Sequence, residues 1–305
     1  MKIDIIYSYY NSKPEQLEAY LHHWSNNFPD TKHDINFVIV DDHSSNKAIE
    51  TISNSNIKCN LQVYYIEDDI IWNEMGARNL GAEQTTSDII LFLDWDHFIC
   101  ENLIKDILCI DLSKNLFILR QLQYICNNFS KEVVIELAKL MKLPIKRRLV
   151  EDGDSVFAYN LSTPGQFREN LRMNKTINEV YASKVPCTAT GFCLTRELWN
   201  QIGPFDEDFA GAYGGYDLAF IDHVKNSGIN VCTWQKDMNG YMNPAIQLTA
   251  GKAKAKRHRP NKNTELLHKR GIVKINRKWK ATSKEIYNPR PGLRFKWIKQ
   301  YENIL

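Results

Sequence analysis

This sequence of 305 residues lacks long apolar runs. The apolar run at residues 89–93 ends at Asp94, well short of the roughly 18 apolar residues needed to span a bilayer. The N-terminal segment MKIDIIYSYYN lacks the apolar stretch and small-residue cleavage site of a signal peptide. We therefore expect no transmembrane segment and a cytoplasmic protein, at most peripheral at an inner membrane surface or acting in a virus-infected host cell.

Paired metal-binding cysteines are also missing. The chain has 7 cysteines but no C-x-x-C pair, so zinc-ribbon spacing is absent. Reduced, mostly buried thiols are the expectation. With 43% hydrophobic and 25% charged residues, the composition is that of a globular protein and excludes a disordered or coiled-coil chain.

Acidic residues are scarce in one region only, the C-terminal part of the chain. Residues 251–305 contain 17 Lys and Arg but 3 Glu and no Asp, a net charge of +14. The preceding 250 residues carry 22 basic and 33 acidic side chains. This asymmetry predicts a polyanionic partner, such as nucleic acid, an anionic membrane or an acidic glycan. The alternative is a tail that folds back on the acidic body.

Apolar periodicity predicts strands alternating with helices. Predicted strands are residues 2–7, 35–40, 61–66, 89–94, 116–125, 189–195 and 230–234. Predicted helices are residues 14–27, 74–85, 131–143, 196–201 and 217–227. The polar stretch 145–180 reads as an insertion or loop region. Such alternation is typical of an α/β fold with a parallel sheet.

The segment IILFLDWDHF carries the strongest chemical signal. A buried strand runs into Asp94 and Asp96, and ligands of open parallel sheets bind beyond the carboxyl ends of strands. Two carboxylates there suit a hard cation, Mn²⁺ or Mg²⁺, which shares its ligands with substrate phosphates. The alternative is a strand-ending Asp that caps the next helix.

Four further motifs accompany this D-x-D in a fixed order. They are VIVDDHSS, GARNLGA, ATGFCLTRELWNQIGPFDEDF and GAYGGYDLAF. Together the five motifs resemble the GT-A glycosyltransferases, in particular family 2 and relatives with a G-G-E-D element, over roughly residues 1–240. The resemblance implies a Rossmann-like, open mixed α/β sheet flanked by helices. We expect a domain at 1–250, with a nucleotide-sugar half at about 1–110 and an acceptor half at about 111–250, followed by a basic extension at 251–305.

The resemblance also assigns roles to individual residues. The implied nucleotide-sugar site comprises Tyr7, Ser8, Asp41, Asp42, Arg78, Asn79 and Asp94. The implied acceptor site comprises Gly191, Gly215 and Tyr216, and the implied metal ligands are Asp94, Asp96 and His258. Asp217 matches the general base of inverting members. Tyr216 stands where the family often has Glu, and its ring is expected to stack on a sugar or a base.

Each of these residues also has a structural alternative. Asp41 or Asp42 can cap a helix through the serines that follow, and Arg78 can pair with Glu74 on a solvent face. Glycines 211, 214 and 215 can be turn formers, and Asp217 can cap its own helix. For the third metal ligand, His223 and His268 are alternatives to His258.

The implied activity is metal-dependent transfer, with inversion, from a nucleotide-diphosphate sugar, a UDP-sugar, to a hydroxyl. A sugar nucleotidyltransferase is discounted, because SYYNSKPEQ after the first strand contains no glycine. A non-catalytic binding module would not need Asp94, Asp96 and Asp217. The expected acceptor is a saccharide or lipid-linked saccharide. The alternative is a hydroxymethylated base of phage-type DNA, with duplex DNA bound by the basic tail.

Overall fold

The structure is a computed structural model of the chain. It describes residues 1–28, 35–119, 121–125, 130–140, 156–157, 166–169, 191–233, 245–249, 262–275, 278–281 and 292–304.

Strands and helices alternate in the first half of the chain, as the sequence predicts. The strands of this half are β1 Ile3–Tyr9, β2 Ile35–Asp41, β3 Asn60–Ile66, β4 Ile89–Asp94, β5 His97–Phe98, β6 Asn115–Ile118 and β7 Gln121–Ile125. Its helices are α1 Pro14–Asn27, α2 Ala48–Ile52, α3 Glu74–Glu83, α4 Glu101–Leu108 and α5 Lys131–Leu140. Helix α1 starts at a proline, which suits the first helical turn because its missing N–H would have no partner there.

In the described part of the second half, fewer residues lie in helices and strands. Its strands are β8 Val156–Phe157, β9 Gln166–Glu169, β10 Gly191–Thr195, β11 Asn230–Thr233, β12 Ala245–Thr249, β13 Ile272–Ile275, β14 Lys278–Ala281 and β15 Trp297–Asn303. Its helices are α6 Arg196–Ile202, α7 Tyr216–Asn226 and α8 Lys262–Lys269, with a 3₁₀ turn at Glu207–Phe209.

An eight-stranded mixed sheet forms the centre, in the order β11-β6-β10-β4-β1-β2-β3-β15. Strands β4, β1, β2 and β3 are parallel, whereas β10 and β15 run antiparallel to their neighbours β4 and β3. The carboxyl ends of β4, β1 and β2 therefore meet at one edge, where Ser8 pairs with Asp94 and Tyr9 with Asp41. This mixed sheet flanked by helices confirms the predicted fold class.

Alternation along the buried strands builds a core on each face of the sheet. Ile5 and Tyr7 of β1 join the core that contains α1 and α4, whereas Ile6 joins the core that contains α3, α6 and α7. Burial on both faces explains why these strands read as continuous apolar runs.

The single strand predicted at 116–125 is wrong. Residues Asn115–Ile118 lie in the central sheet, and Gln121–Ile125 lie in a second, five-stranded sheet ordered β5-β12-β7-β9-β8. The segment LFILRQLQYI reads as one strand, and its sequence carries no clear signal for the point at which the chain changes sheets. Strands β8 and β9 also lie in this sheet, within the stretch read as a loop region.

The basic C-terminal segment joins the central sheet. Strand β15 pairs antiparallel with β3, from Trp297 opposite Ile66 to Asn303 opposite Leu61. The proposed boundary at residue 250 stays a prediction. Within the described residues, no helix is both long and apolar enough to span a membrane.

Candidate active site

The carboxyl end of β4 gathers three potential metal ligands. Asp94, Asp96 and His97 each offer a ligand atom, and these atoms lie within 4.8 Å of one another. The Asp96 Oδ1 and His97 Nδ1 atoms are 3.0 Å apart. His97 is fully buried, and its Nε2 atom has no hydrogen-bond partner among the described residues. Two carboxylates and an imidazole are a donor set that Mn²⁺ accepts.

Trp95, between the two aspartates, anchors this turn in the core. Its ring meets Tyr9 edge-on at 4.8 Å between centroids and lies 5.2 Å from the ring of Tyr20. The Gln16 side chain donates a hydrogen bond to the Trp95 carbonyl at 3.4 Å. The side chains on either side remain partly exposed, 25% for Asp94 and 41% for Asp96. The apolar residue therefore fixes the turn, and the carboxylates stay accessible.

Arg78 of α3 lies at the centre of the acidic cluster. Its guanidinium is fully buried, pairs with Glu74 at 2.9 Å and also binds Asp94. It lies over the rings of Phe205 and Tyr216, at 5.7 and 5.8 Å from their centroids. The predicted pairing with Glu74 is present, but the suggestion of a solvent face is wrong. A buried guanidinium needs such partners, because an unpaired charge is costly to bury.

Crowded carboxylates perturb one another here. Removal from water raises the pKa of Asp94 well above its ordinary value and Glu74 raises it further, whereas Arg78 lowers it. A bound cation would relieve the repulsion among these carboxylates.

Asn79, the next residue of α3, binds the P-F-D-E segment. Its side-chain oxygen accepts from the Phe205 N–H at 2.8 Å, and its amide donates to the Phe205 carbonyl at 3.0 Å and to Glu207 at 2.9 Å. Both the oxygen and the nitrogen of the amide group therefore have hydrogen-bond partners. Asn79 holds the segment implied to line the acceptor side against the helix that carries Arg78.

Asp217 lies in the first turn of α7, and Gly215 precedes this helix with φ of 93°. A Cβ atom there would meet Leu267 at 3.2 Å and Phe209 at 3.3 Å, so glycine is required by both conformation and space. Asp217 is 7% exposed, and burial raises its pKa, against the Leu218 backbone N–H and Arg78, which lower it. The ring of Tyr216 is also 7% exposed and packs on Phe205.

The aspartates after β2 are largely engaged with the backbone. Asp41 accepts from the N–H groups of Ser44 at 2.9 Å and Ala48 at 2.8 Å, and Asp42 accepts from the Asn73 N–H at 3.1 Å. The suggested capping role of Asp41 is therefore present. Burial raises the pKa of Asp42 to about 7.

The remaining implied site residues differ in accessibility. Tyr7 is fully buried, and its hydroxyl donates to the His97 carbonyl at 3.2 Å, which helps to hold the turn after β4. Ser8 is partly exposed beside Asp94. Gly191 begins β10 opposite Leu93, and a Cβ atom there would lie 3.3 Å from the Leu93 side chain.

The histidine predicted as third metal ligand, His258, lies outside the described residues. Among the alternatives, His223 has Nε2 at 2.8 Å from the Ile202 carbonyl, and His268 is exposed on α8. His97 directly follows the D-x-D but was not predicted as a ligand, because the resemblance implies a third ligand much further along the chain.

Basic residues of the tail pair with the acidic P-F-D-E-D segment. Arg270 binds Asp206 at 2.7 Å and Asp208 at 2.8 Å, and Arg294 also binds Asp208. The Asn263 amide nitrogen lies within 2.9 Å of the carbonyls of residues 209, 212 and 214. In its described part, the tail folds back on the acidic body and supports the loop before Asp217.

Comparisons with known proteins identify the family of this chain. The family described as glycosyltransferase like family 2 matches residues 5–224. No curated protein matches the chain.

The solved structures that are similar to it include the following two. Residues 1–349 of S. aureus TarS in complex with UDP-GlcNAc share 14% identity at a TM-score of 0.49, over 82% of this chain and 59% of that chain. The mannosyltransferase PcManGT from Pyrobaculum calidifontis, in complex with GDP-Man and Mn²⁺, shares 12% identity at a TM-score of 0.43, over 83% and 58%. The chain thus spans less than two thirds of either relative.

The family match covers well over half of the chain, including the strands that carry both aspartate pairs and the helix that carries Asp217. The chain therefore belongs to the glycosyltransferase-like family 2.

Proposed function

We propose that the chain is a metal-dependent, inverting glycosyltransferase. It transfers a sugar from a UDP-sugar to a hydroxyl of a saccharide, free or lipid-linked. The observation that carries this proposal is the convergence of Asp94, Asp96 and His97 at the edge of the sheet, with Arg78 coupling Asp94 electrostatically to Asp217.

Asp94, Asp96 and His97 are the residues that would hold Mn²⁺ or Mg²⁺. Their clustered donor atoms and the unpartnered Nε2 of buried His97 fit such an ion. When bound, the ion acts as a Lewis acid that neutralises the charge of the departing diphosphate. Further ligation by His258 stays a prediction.

Arg78 positions the site rather than binding substrate. Its guanidinium is buried and engaged by Glu74 and Asp94. This pairing orients one oxygen of Asp94 toward α3 and favours the ionised carboxylate. The pairing thereby opposes the burial and the neighbouring Glu74, which raise the pKa of Asp94.

Asp217 is the general base. Its carboxylate takes the proton of the acceptor hydroxyl while the hydroxyl oxygen forms a bond to the anomeric carbon and the bond to the diphosphate oxygen breaks. Direct displacement inverts the anomeric centre. A raised pKa strengthens the carboxylate as a base at neutral pH, because a base is most effective when its pKa lies closer to the working pH.

The test is a transfer assay with UDP-sugars and Mn²⁺ or EDTA, in which UDP release and the mass of the product are followed. Acceptors are oligosaccharides, lipid-linked saccharides and duplex DNA with hydroxymethylated bases. Metal-dependent transfer to a saccharide, lost in Asp96→Ala, is expected. Transfer to the DNA alone would favour the alternative acceptor, and release that is equal with EDTA would contradict the metal role.

A further inference from the structure

Two exposed aromatic side chains contact each other beside the candidate active site. Trp72 and Tyr213 are 43% and 52% exposed, and their ring centroids lie 4.6 Å apart with an interplanar angle of 86°. Among the described residues, only one other aromatic side chain, Tyr10, is comparably exposed. Exposed apolar surface that is concentrated at one place marks a binding site more often than scattered exposure does.

The two residues come from two different loops, each of which leads into a helix that carries a residue of the candidate site. Trp72 lies two residues before Glu74, which starts the helix that carries Arg78. Tyr213 lies four residues before Asp217. The pair therefore joins the loop beside the metal ligands to the loop beside the proposed general base.

Both loops are held in place while the rings stay exposed. Trp72 has a φ of 56°, a left-handed conformation that costs free energy for a bulky residue. The next residue, Asn73, is tied to Asp42 through its N–H. On the other loop, Asn263 binds the carbonyls of Ala212 and Gly214 on either side of Tyr213. The strained backbone at Trp72 and the hydrogen bonds that hold both loops bring the two rings little burial. This favours a functional reason for their placement.

We propose that Trp72 and Tyr213 form the stacking subsite for a sugar ring of the acceptor saccharide, an inference that rests on the proposed function. The negative face of an aromatic ring attracts the C–H groups of a sugar, and rings at 86° present faces in two directions. The acceptor hydroxyl must reach Asp217, and Tyr213 is on the loop that leads to it. A saccharide held there has its hydroxyls next to the base.

The test uses Trp72→Ala and Tyr213→Ala in the full chain, with Trp72→Phe as the conservative variant. Ile298→Ala is the matched control, because Ile298 is also 43% exposed but lies on β15. Retention on an array of immobilised oligosaccharides is measured with UDP and Mn²⁺ present, and UDP affinity is measured by calorimetry. We expect each Ala variant to reduce retention by about fivefold to tenfold, as for loss of an aromatic contact. Trp72→Phe should restore most of it, and the UDP affinity should be unchanged.

Three results would overturn the subsite. They are unchanged retention in both Ala variants, lost UDP affinity with unchanged retention, and no retention by the wild-type protein although it binds UDP. The first two would show that the rings serve no ligand or serve the donor, and the third would remove the saccharide. Absence of UDP binding and of metal-dependent sugar release would instead contradict the proposed function, whereas retention that depends on Trp72 would still support the subsite.

Discussion

Two parallel strands of the central sheet end in aspartates, and the two sites differ in how the carboxylates are used. Asp41 and Asp42, after β2, are 0% and 6% exposed. Asp94 and Asp96, after β4, have side chains that are 25% and 41% exposed. The same residue type at the same edge of the sheet is thus buried at one site and accessible at the other.

The segment that follows each strand accounts for the difference. After β2 the chain turns into the short helix α2, and Asp41 satisfies the backbone N–H groups of Ser44 and Ala48 at its start. After β4 the turn is held instead by the ring of Trp95 in the aromatic core. A carboxylate stays accessible where an apolar residue already fixes the turn.

The largest effect is expected at the accessible pair. Asp96→Ala should abolish Mn²⁺ binding and metal-dependent transfer together, because it removes one of the proposed anionic ligands. Calorimetry with Mn²⁺ and a transfer assay measure the two losses. Asp69→Ala, at an exposed carboxylate on the loop after β3, is the control and should change neither. Full Mn²⁺-dependent activity in Asp96→Ala would remove Asp96 from the metal site.

A variant at Asp217 tests whether a carboxylate that is buried must have a structural role. Asp217→Asn should lower kcat by roughly 10²- to 10⁴-fold while UDP-sugar affinity is retained, because only the proton acceptor is lost. Its raised pKa predicts that the wild-type rate falls as pH decreases through a value above the ordinary 3.8, since protonation removes the base. Pre-steady-state rates across pH measure this. Loss of donor affinity with a high residual rate would mean that Asp217 is structural.

At the buried pair, stability rather than metal binding should respond. Asp41→Ala leaves the Ser44 and Ala48 N–H groups without their acceptor, which should lower the free energy of unfolding by about 1–3 kcal/mol. Urea unfolding measures the change, with Asp96→Ala as the comparison, which should be near neutral. If the two variants were equally destabilised, the contrast between the strand ends would be wrong.

A pH dependence of stability is expected at Asp42. Its pKa is raised by burial from 3.8 to about 7, so the folded state binds the proton more tightly than the unfolded state. The contribution of Asp42 to the free energy of unfolding is therefore fully present below pH 3.8 and is lost as the pH rises toward about 7. Asp42→Asn should flatten this part of the stability profile, measured as the unfolding midpoint in urea between pH 4 and 7. An unchanged slope would show that other groups cause it.

Strands β1 to β4 were predictable because they are short, buried and rich in branched residues, whereas α2, β5 and α4 were not predicted. Helix α1 and strand β4 have the predicted bounds. The second sheet and strand β15 were not predicted, because their pairings join residues far apart in sequence. The pairing of Trp297 with Ile66 leaves no local periodicity to detect.

In the candidate site too, some features could be predicted from the sequence and others could not. The order of the motifs indicated Asp94, Asp96 and Asp217, since carboxylates at strand ends and helix starts lie in recognisable local contexts. The place of His97 among the potential metal ligands and the burial of Arg78 came only from the fold, because burial and pairing decide whether a charged or polar group meets water, a partner or an ion.

The sequence by itself determined an α/β protein with carboxylates at one edge of the sheet, because alternation of apolar strands and helices is a local property. Tertiary structure decided which carboxylates stay accessible, that Arg270 and Asn263 of the basic tail brace the acidic segment and the loop before Asp217, and that Trp72 meets Tyr213. These contacts join segments that are far apart in sequence. They therefore form only when the helices and sheets have packed together, and local sequence patterns do not indicate them.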